Sequence, residues 1–113
     1  MNAPDRIRLQ HMLDAAVEAR SFAHGRTRGD LDTNRMLLRA IVKDIEIIGE
    51  AAAKVSNEGQ SECPQLPWAD LIGMRNRLIH AYFDINLDLV WETIQQDLPF
   101  LVAELRQILD TTN

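Results

Sequence analysis

Residues 33 to 56, TNRMLLRAIVKDIEIIGEAAAKVS, carry the strongest helical pattern in the chain. Apolar side chains recur there at steps of three and four residues, which places them on one face of an α-helix. A second apolar line widens this face and indicates contact with more than one neighbour, another subunit included. The segment therefore predicts a helix of about six turns from Thr33 to Ser56. The main face contains Leu37, Ile41, Ile45, Ile48, Ala52 and Val55, and the second line contains Leu38, Val42 and Gly49.

Three further segments show helical spacing, and no strand-like alternation is long enough to compete. The first runs from about Asp5 to Ala23 and ends at the glycine-rich stretch HGRTRGDLD. The second runs from Pro67, which suits the first turn of a helix, to about Ala81, after a segment, NEGQSECPQLP, that composition predicts to be a loop. The last follows Asn86 as N-cap and continues past Pro99, which should kink or split it. We expect an all-α, up-down bundle of four long helices.

Length and composition describe one globular domain, residues 1 to 113. The chain is 46% hydrophobic and 26% charged, which is typical of a soluble protein. No apolar run is long enough to span a bilayer, and the start, MNAPDRIRLQ, lacks the hydrophobic stretch of a signal peptide. The single cysteine, Cys63, cannot form an internal disulfide and suits a reducing compartment. We therefore expect a cytoplasmic protein.

The net charge of −5 is unevenly distributed. Residues 1 to 80 hold 11 basic and 11 acidic side chains, whereas residues 81 to 113 hold Arg106 alone against six acidic ones. Because phosphate backbones attract basic surfaces, a broad non-specific grip on duplex DNA or RNA is not expected. A local basic site around Arg75 and Arg77 remains compatible with this distribution.

The stretch GMRNRLIHAY, residues 73 to 82, concentrates polar side chains in an otherwise amphipathic helix: Arg75, Asn76, Arg77, His80 and Tyr82. These residue types suit phosphoryl transfer without a metal ion. Arginine donates to phosphate oxygens and neutralises charge in the transition state, histidine moves a proton near neutral pH, and asparagine can fix the imidazole tautomer. If the attacking hydroxyl is the ribose 2′-OH, the substrate must be RNA. A solvated helix face is the alternative interpretation.

Helix geometry limits how Arg75 and His80 can cooperate. Five residues separate them, which places them about 140° apart around an ideal helix. Either the helix unwinds before His80, or two copies of the chain meet about a two-fold axis and each site combines residues from both. Gly73 would permit the close approach of two helices in the second case. No histidine spacing suggests a metal site, so we expect no metal ligand.

The string GMRNRLIHAYF, with DIEIIGEAAAKVS and PW before it and LDLVWETIQQDLP after it, resembles the HEPN superfamily and within it the HepT-like toxin family. The resemblance covers about residues 5 to 110. The family's diagnostic pattern is an arginine, four residues, a histidine, one residue and a tyrosine. Arg75, His80 and Tyr82 satisfy this pattern, and Asn76 is the polar residue that family members carry after the arginine.

This resemblance implies an all-α homodimer in which two such motifs face each other in a cleft at the interface. It implies a metal-independent endoribonuclease that needs no cofactor and acts as the toxin of a two-gene toxin–antitoxin module, with Arg75, Asn76 and His80 as catalytic residues. The implied partner is a minimal, MntA-like nucleotidyltransferase antitoxin. In the family, this partner silences the toxin by transferring AMP from ATP onto the motif tyrosine, which here is Tyr82.

The segment from Ala19 to Asn34 does not map onto the family pattern. Its Arg26 and Arg28 are candidates for RNA contacts, together with Arg77, although a solvated loop explains them equally. Two other functions are compatible with the resemblance. The chain could be a non-catalytic module that binds a nucleotide or a nucleotidyltransferase, or it could be the antitoxin of a harmful nucleotidyltransferase.

Overall fold

The fold is built around a long central helix that packs on two neighbours. The computed structural model describes residues 1–81 and 83–111. Its helices and strands are α1 (Ala3–Ala23), α2 (Asp30–Thr33), α3 (Arg35–Lys54), α4 (Asn57–Glu62), α5 (Trp68–Leu78), β1 (Ile79–Ala81), β2 (Asp84–Ile85), α6 (Leu87–Glu92), a π-helical segment (Thr93–Asp97) and α7 (Leu98–Thr111). In the described part of the chain, every helix is too short or too polar to cross a membrane.

Helix α3 forms the centre of the bundle, as its apolar face predicts. It packs against α1 and, less extensively, against α5, while α1 also packs against α7. The predicted main face is buried from Leu37 through Ile41, Ile45 and Ile48 to Ala52. The expected all-α bundle is therefore confirmed, and α3 contacts more than one neighbouring helix, as its wide apolar face indicates.

Asparagine side chains cap three of the helices. Asn2, Asn34 and Asn86 accept hydrogen bonds from the backbone N–H three residues ahead, at 2.8, 3.0 and 3.1 Å. Such caps satisfy an N–H group that has no partner within the helix. The predicted N-cap at Asn86 is confirmed, whereas the cap at Asn34 moves the start of α3 two residues beyond the predicted Thr33.

The segment NEGQSECPQLP is not the loop that its composition predicts, because it contains α4. Ser56 caps this helix by accepting a hydrogen bond from the Gly59 N–H at 3.0 Å. Ser56 also donates its N–H and hydroxyl to the buried carboxylate of Asp5, at 2.9 and 2.6 Å. These hydrogen bonds, led by the one from the hydroxyl, lower the pKa of Asp5 despite its burial. A contact with α1 thus stabilises a helix start that local sequence does not reveal.

The last long helix is interrupted just before Pro99. Residues Thr93–Asp97 form a π-helical turn between α6 and α7. A proline lacks the N–H group for the helical ladder, and its ring collides with the carbonyl four residues earlier. A wider turn before the proline relieves both effects while the chain continues as a helix. The predicted interruption therefore precedes Pro99 by a few residues.

Helix α5 ends at Leu78, so the prediction of a helix through Ala81 is wrong at its C-terminal end. Ile79 is extended, with φ −127° and ψ 100°, and begins the strand β1. β1 pairs antiparallel with β2, Ile79 opposite Ile85, and the Asn86 N–H donates to the Leu78 carbonyl at 2.8 Å. Ile85 and Asn86, which form these contacts, follow the turn after β1. The helical pattern of residues 68 to 78 therefore does not indicate that α5 ends at Leu78.

Candidate functional site

The last turn of α5 carries Arg75 into a groove beside the central helix. This groove encloses about 400 Å³ between α3, α5 and the strand pair. Arg75 and Glu46 line it together with residues from all three elements. The others are Arg39, Val42 and Lys43 from α3, and Ile79 and Ile85 from the strands.

Arg75 forms an ion pair across this groove. Its Nε lies 3.4 Å from Oε1 of Glu46, and the two side chains are 46% and 27% exposed. Ion pairs with this much solvent access contribute little to stability. The guanidinium is therefore held at the groove by a weak contact that an incoming anion could replace.

His80 lies in β1, where the helix has already ended. Its side chain is exposed, whereas the preceding Ile79 is buried and lines the groove with Arg75. The pairing of β1 with β2 is irregular between Ile79 and Ala81, so the side-chain alternation of a regular strand does not apply at His80. Unwinding does occur before His80, yet the groove that contains Arg75 does not include it.

Asn76 is exposed on α5. Across residues 1–81 and 83–111, no hydrogen bond joins Asn76 to His80, so a role in fixing the imidazole remains a prediction. Tyr82 lies outside the described residues. One chain by itself therefore brings together only part of the predicted catalytic set.

Arg77 lies on a different side of α5 from Arg75. It donates to the Asp70 carbonyl at 3.1 Å and lies 3.9 Å from the Asp70 carboxylate. The cavity that it lines, between α5 and α7, also contains Asp97 and Phe100. Arg77 therefore does not share the groove of Arg75.

Arg28 is held by two carboxylates. Its guanidinium lies 2.7 Å from Asp88 and 2.8 Å from Asp32, and the hydrogen bond to Asp88 contributes most to raising its pKa. This pairing ties the start of α2 to α6, so the interactions of Arg28 are internal to the fold.

Arg26 lines a separate cavity of about 250 Å³ at the end of α1, with Arg20, His24 and Trp91. The three arginines predicted to contact RNA, Arg26, Arg28 and Arg77, thus lie in three different places. None of them lines the groove that contains Arg75. The three arginines therefore do not form one RNA-binding site.

Sequence reasoning missed three basic residues of α3. Arg35, Arg39 and Lys43 follow one another at steps of four residues, which is the spacing for one face of a helix. A second cavity, of about 350 Å³, includes Arg35, Arg39 and the exposed Phe83. The four-residue spacing was a usable signal, but only the tertiary structure shows that this face adjoins Arg75.

Comparison with known proteins gives the following matches. Residues 12–108 match the protein family described as “Ribonuclease HepT-like”. The chain is 35% identical over 101 residues to “Putative RNase TTE0752” of Caldanaerobacter subterraneus subsp. tengcongensis, across 89% of this chain and 90% of the relative. It is 32% identical over 97 residues to “Putative RNase MJ1380” of Methanocaldococcus jannaschii, across 86% and 89%. It is 35% identical over 69 residues to “Probable ribonuclease HepT” of Thermococcus cleftensis, across 61% and 63%. No solved structure gives a significant match.

Proposed function

Because this chain belongs to the HepT-like ribonuclease family, we propose that it is a metal-independent endoribonuclease and the toxin of a two-gene toxin–antitoxin module. The observation that supports this proposal most is the placement of Arg75 and His80. Both side chains are exposed, Arg75 in the last turn of α5 and His80 two residues after that helix ends, within the residues that match the family. An exposed arginine and an exposed histidine at one helix end can bind a phosphodiester and move a proton.

The proposed reaction uses the ribose of the substrate as nucleophile. A base removes the proton of a 2′-OH, the oxygen attacks the adjacent phosphorus, and the bond from phosphorus to the 5′-oxygen breaks. The departing oxygen takes up a proton, so the products carry a 2′,3′-cyclic phosphate and a 5′-hydroxyl. His80 acts as general acid or base, Arg75 stabilises the charge on the phosphorane, and Asn76 orients the phosphate or the imidazole.

The catalytic unit of this proposal is a homodimer. Within one chain, Arg75 lines the α3 groove, whereas the exposed His80 does not. A two-fold axis beside α5 would place His80 of one protomer near Arg75 of the other. Gly73 supports such an arrangement: among the described residues, apart from its chain neighbours and the nearby backbone of its own helix, no atom lies within 4 Å of the position where a Cβ would stand.

Control of the toxin is proposed to come from a minimal nucleotidyltransferase encoded beside it. This enzyme would transfer AMP from ATP onto the Tyr82 hydroxyl and release pyrophosphate. Tyr82 is two residues from His80, so the attached nucleotide would add bulk and a negative phosphate where an RNA phosphate is to bind.

Cleavage of end-labelled RNA in the presence of EDTA tests the enzymatic proposal. The protein should produce cyclic-phosphate ends, and His80→Ala should abolish them while its circular dichroism spectrum and its dimeric state stay unchanged. His11→Ala, which removes an exposed histidine from α1, is the matched control and should cleave normally. Equal cleavage by His80→Ala, or a strict need for a divalent metal, contradicts the proposal.

Intact-mass measurement tests the control mechanism. The protein is incubated with ATP and the neighbouring nucleotidyltransferase, and the wild type should gain adenylate-sized increments that Tyr82→Phe does not. Expressing each gene alone identifies the toxic member. Growth arrest by the nucleotidyltransferase and not by this chain would show that this chain is the antitoxin.

A further inference from the structure

The groove that contains Arg75 continues along α3. The cavity beside Arg75 and the cavity beside Phe83 share two lining residues, Arg39 and Ile85. The two cavities therefore form one surface depression that follows α3 from Arg75 past Lys43 and Arg39 to Arg35. We name this depression the α3 track.

The α3 track carries a surplus of positive charge in a chain whose net charge is −5. Both acidic side chains that line it already have basic partners: Glu46 lies 3.4 Å from Arg75, and Asp32 lies 2.8 Å from Arg28. Within the described part of the chain, no ion pair or side-chain hydrogen bond engages Arg35, Arg39 or Lys43. These three cations are therefore available to an anionic ligand.

The spacing of the three cations suits a repeating anion. Arg35, Arg39 and Lys43 follow each other at four-residue steps, so each is displaced about 6 Å along the helix axis from the last. Phosphates of an extended single strand recur at a comparable distance. A chain of phosphates can therefore contact successive cations of α3 without bending sharply.

The walls of the α3 track favour a single strand over a duplex. Phe83 is 81% exposed, and Leu38, Ile85 and Leu87 continue the apolar wall beside it. Unpaired bases bind such surfaces by stacking on aromatic rings and covering apolar side chains. In a duplex the bases are already stacked on each other, so this wall would have no complementary surface.

On these grounds we propose that Arg35, Arg39 and Lys43 bind the backbone of single-stranded RNA along α3 and lead it to Arg75. This inference deepens the proposed ribonuclease function and rests on it for the nature of the substrate. The cavity of Arg20 and Arg26 is also basic, but it lies at the end of α1 and shares no lining residue with the α3 track.

Salt-dependent binding tests the α3 track separately from cleavage. The probe is a fluorescein-labelled single-stranded RNA with 2′-O-methyl riboses, which 2′-OH attack cannot cleave. Fluorescence anisotropy gives its affinity at several salt concentrations. Each phosphate contact to a single strand contributes about −0.7 to the slope of log affinity against log salt. The double variant Arg39→Gln/Lys43→Gln loses two such contacts. Its slope should therefore be less steep by about 1.4, and its binding should be weaker at every salt concentration.

Arg106→Gln is the matched control. It removes one exposed positive charge from α7, outside both cavities of the α3 track, and should leave the slope unchanged. The single variant Arg39→Lys keeps the positive charge at position 39 and should therefore retain the wild-type slope. If the double Gln variant keeps the wild-type slope, or if a duplex of the same sequence binds more tightly than the single strand, the inference is wrong.

The outcomes also separate this inference from the proposed function. If the wild type cleaves RNA and the double Gln variant cleaves with an unchanged KM, the α3 track is refuted and the ribonuclease stands. If no RNA is cleaved but the double Gln variant has a less steep slope of log affinity against log salt, RNA binding along α3 stands and the catalytic proposal fails.

Discussion

The Nε of Arg75 lies 3.4 Å from Oε1 of Glu46, so the arginine of the diagnostic motif is paired with α3 and not with the histidine of its own motif. This ion pair connects the last turn of α5 to the central helix. It also keeps a positive group at the end of the α3 track, where a phosphate would arrive. The contact is partly exposed and contributes about 1 kcal/mol or less to stability.

Glu46→Gln should tighten RNA binding. The change removes a negative charge from the groove and frees the Arg75 guanidinium, and a partly exposed charge of this kind is worth about 0.2 to 1 kcal/mol. The Kd for the 2′-O-methyl RNA should therefore fall by a few-fold, whereas the free energy of unfolding should change by less than about 1 kcal/mol. Anisotropy and urea denaturation measure the two quantities. Glu50→Gln, on the same helix one turn later, is the control, and an equal gain in that variant would contradict the role of Glu46.

Mixing two inactive variants should restore part of the activity if each site combines two chains. Arg75→Ala and His80→Ala protomers that exchange at random form mixed dimers in half of the cases, and each mixed dimer has one intact site of two. Roughly a quarter of the wild-type activity should return. The RNA cleavage assay measures the recovery, and native mass spectrometry verifies the mixed dimers. Verified mixed dimers without activity would contradict this division of the site.

Gly59→Ala should destabilise the protein by about 1 to 3 kcal/mol, the usual effect of overpacking. A Cβ at Gly59 would overlap the Asp5 carboxylate, which Ser56 holds in place. Urea denaturation measures the loss. Gly29→Ala is the control, since Gly29 already has a helical backbone and its Cβ would make only an ordinary contact, 3.8 Å from Oγ1 of Thr27. It should be neutral or stabilising by up to about 1 kcal/mol. Equal effects of the two changes would show that the contact with Asp5 does not matter.

Asp44 should make the protein less stable as the pH rises. Its side chain is 2% exposed, and its Oδ2 has no hydrogen-bond partner in the described part of the chain. Burial raises its pKa to about 7, with a further contribution from the hydrogen bond and charge of Glu18. When protonated, the Asp44 hydroxyl can donate to Glu18, whereas two ionised carboxylates have no proton to share. The stability that this proton contributes is therefore complete below about pH 4, where the unfolded chain is protonated as well, and is lost as the pH rises from there through 7.

Asp44→Asn measures this effect because the amide does not ionise. At pH 8 the variant should be more stable than the wild type by about 1 to 3 kcal/mol, and at pH 4 the difference should largely disappear. The lowered pKa of Asp5 does not interfere, since its contribution is lost only below pH 4. His11 and Asp14 line the same opening as Asp44 and Glu18, and Asp14→Asn is therefore the control. A stability difference that is the same at both pH values would contradict the assignment.

Local sequence was sufficient where neighbouring residues in the chain determine the structure. The apolar spacing of α3 predicts its buried face, and Asn86 predicts the start of α6. It was insufficient for α4, because the helix start at Ser56 depends on Asp5, which is 51 residues away. It was also insufficient for the end of α5, where Ile79 leaves the helix to pair with Ile85.

The sequence by itself determined the all-α class and placed the arginine and asparagine of the motif near the end of one helix. Periodicity and motif spacing depend only on the order of residues along the chain. The tertiary structure decided that Arg75 faces Glu46 and the cations of α3, whereas His80 leaves that groove. The physical reason is that both outcomes depend on residues distant in the chain: α3 packs against α5, and β1 pairs with β2.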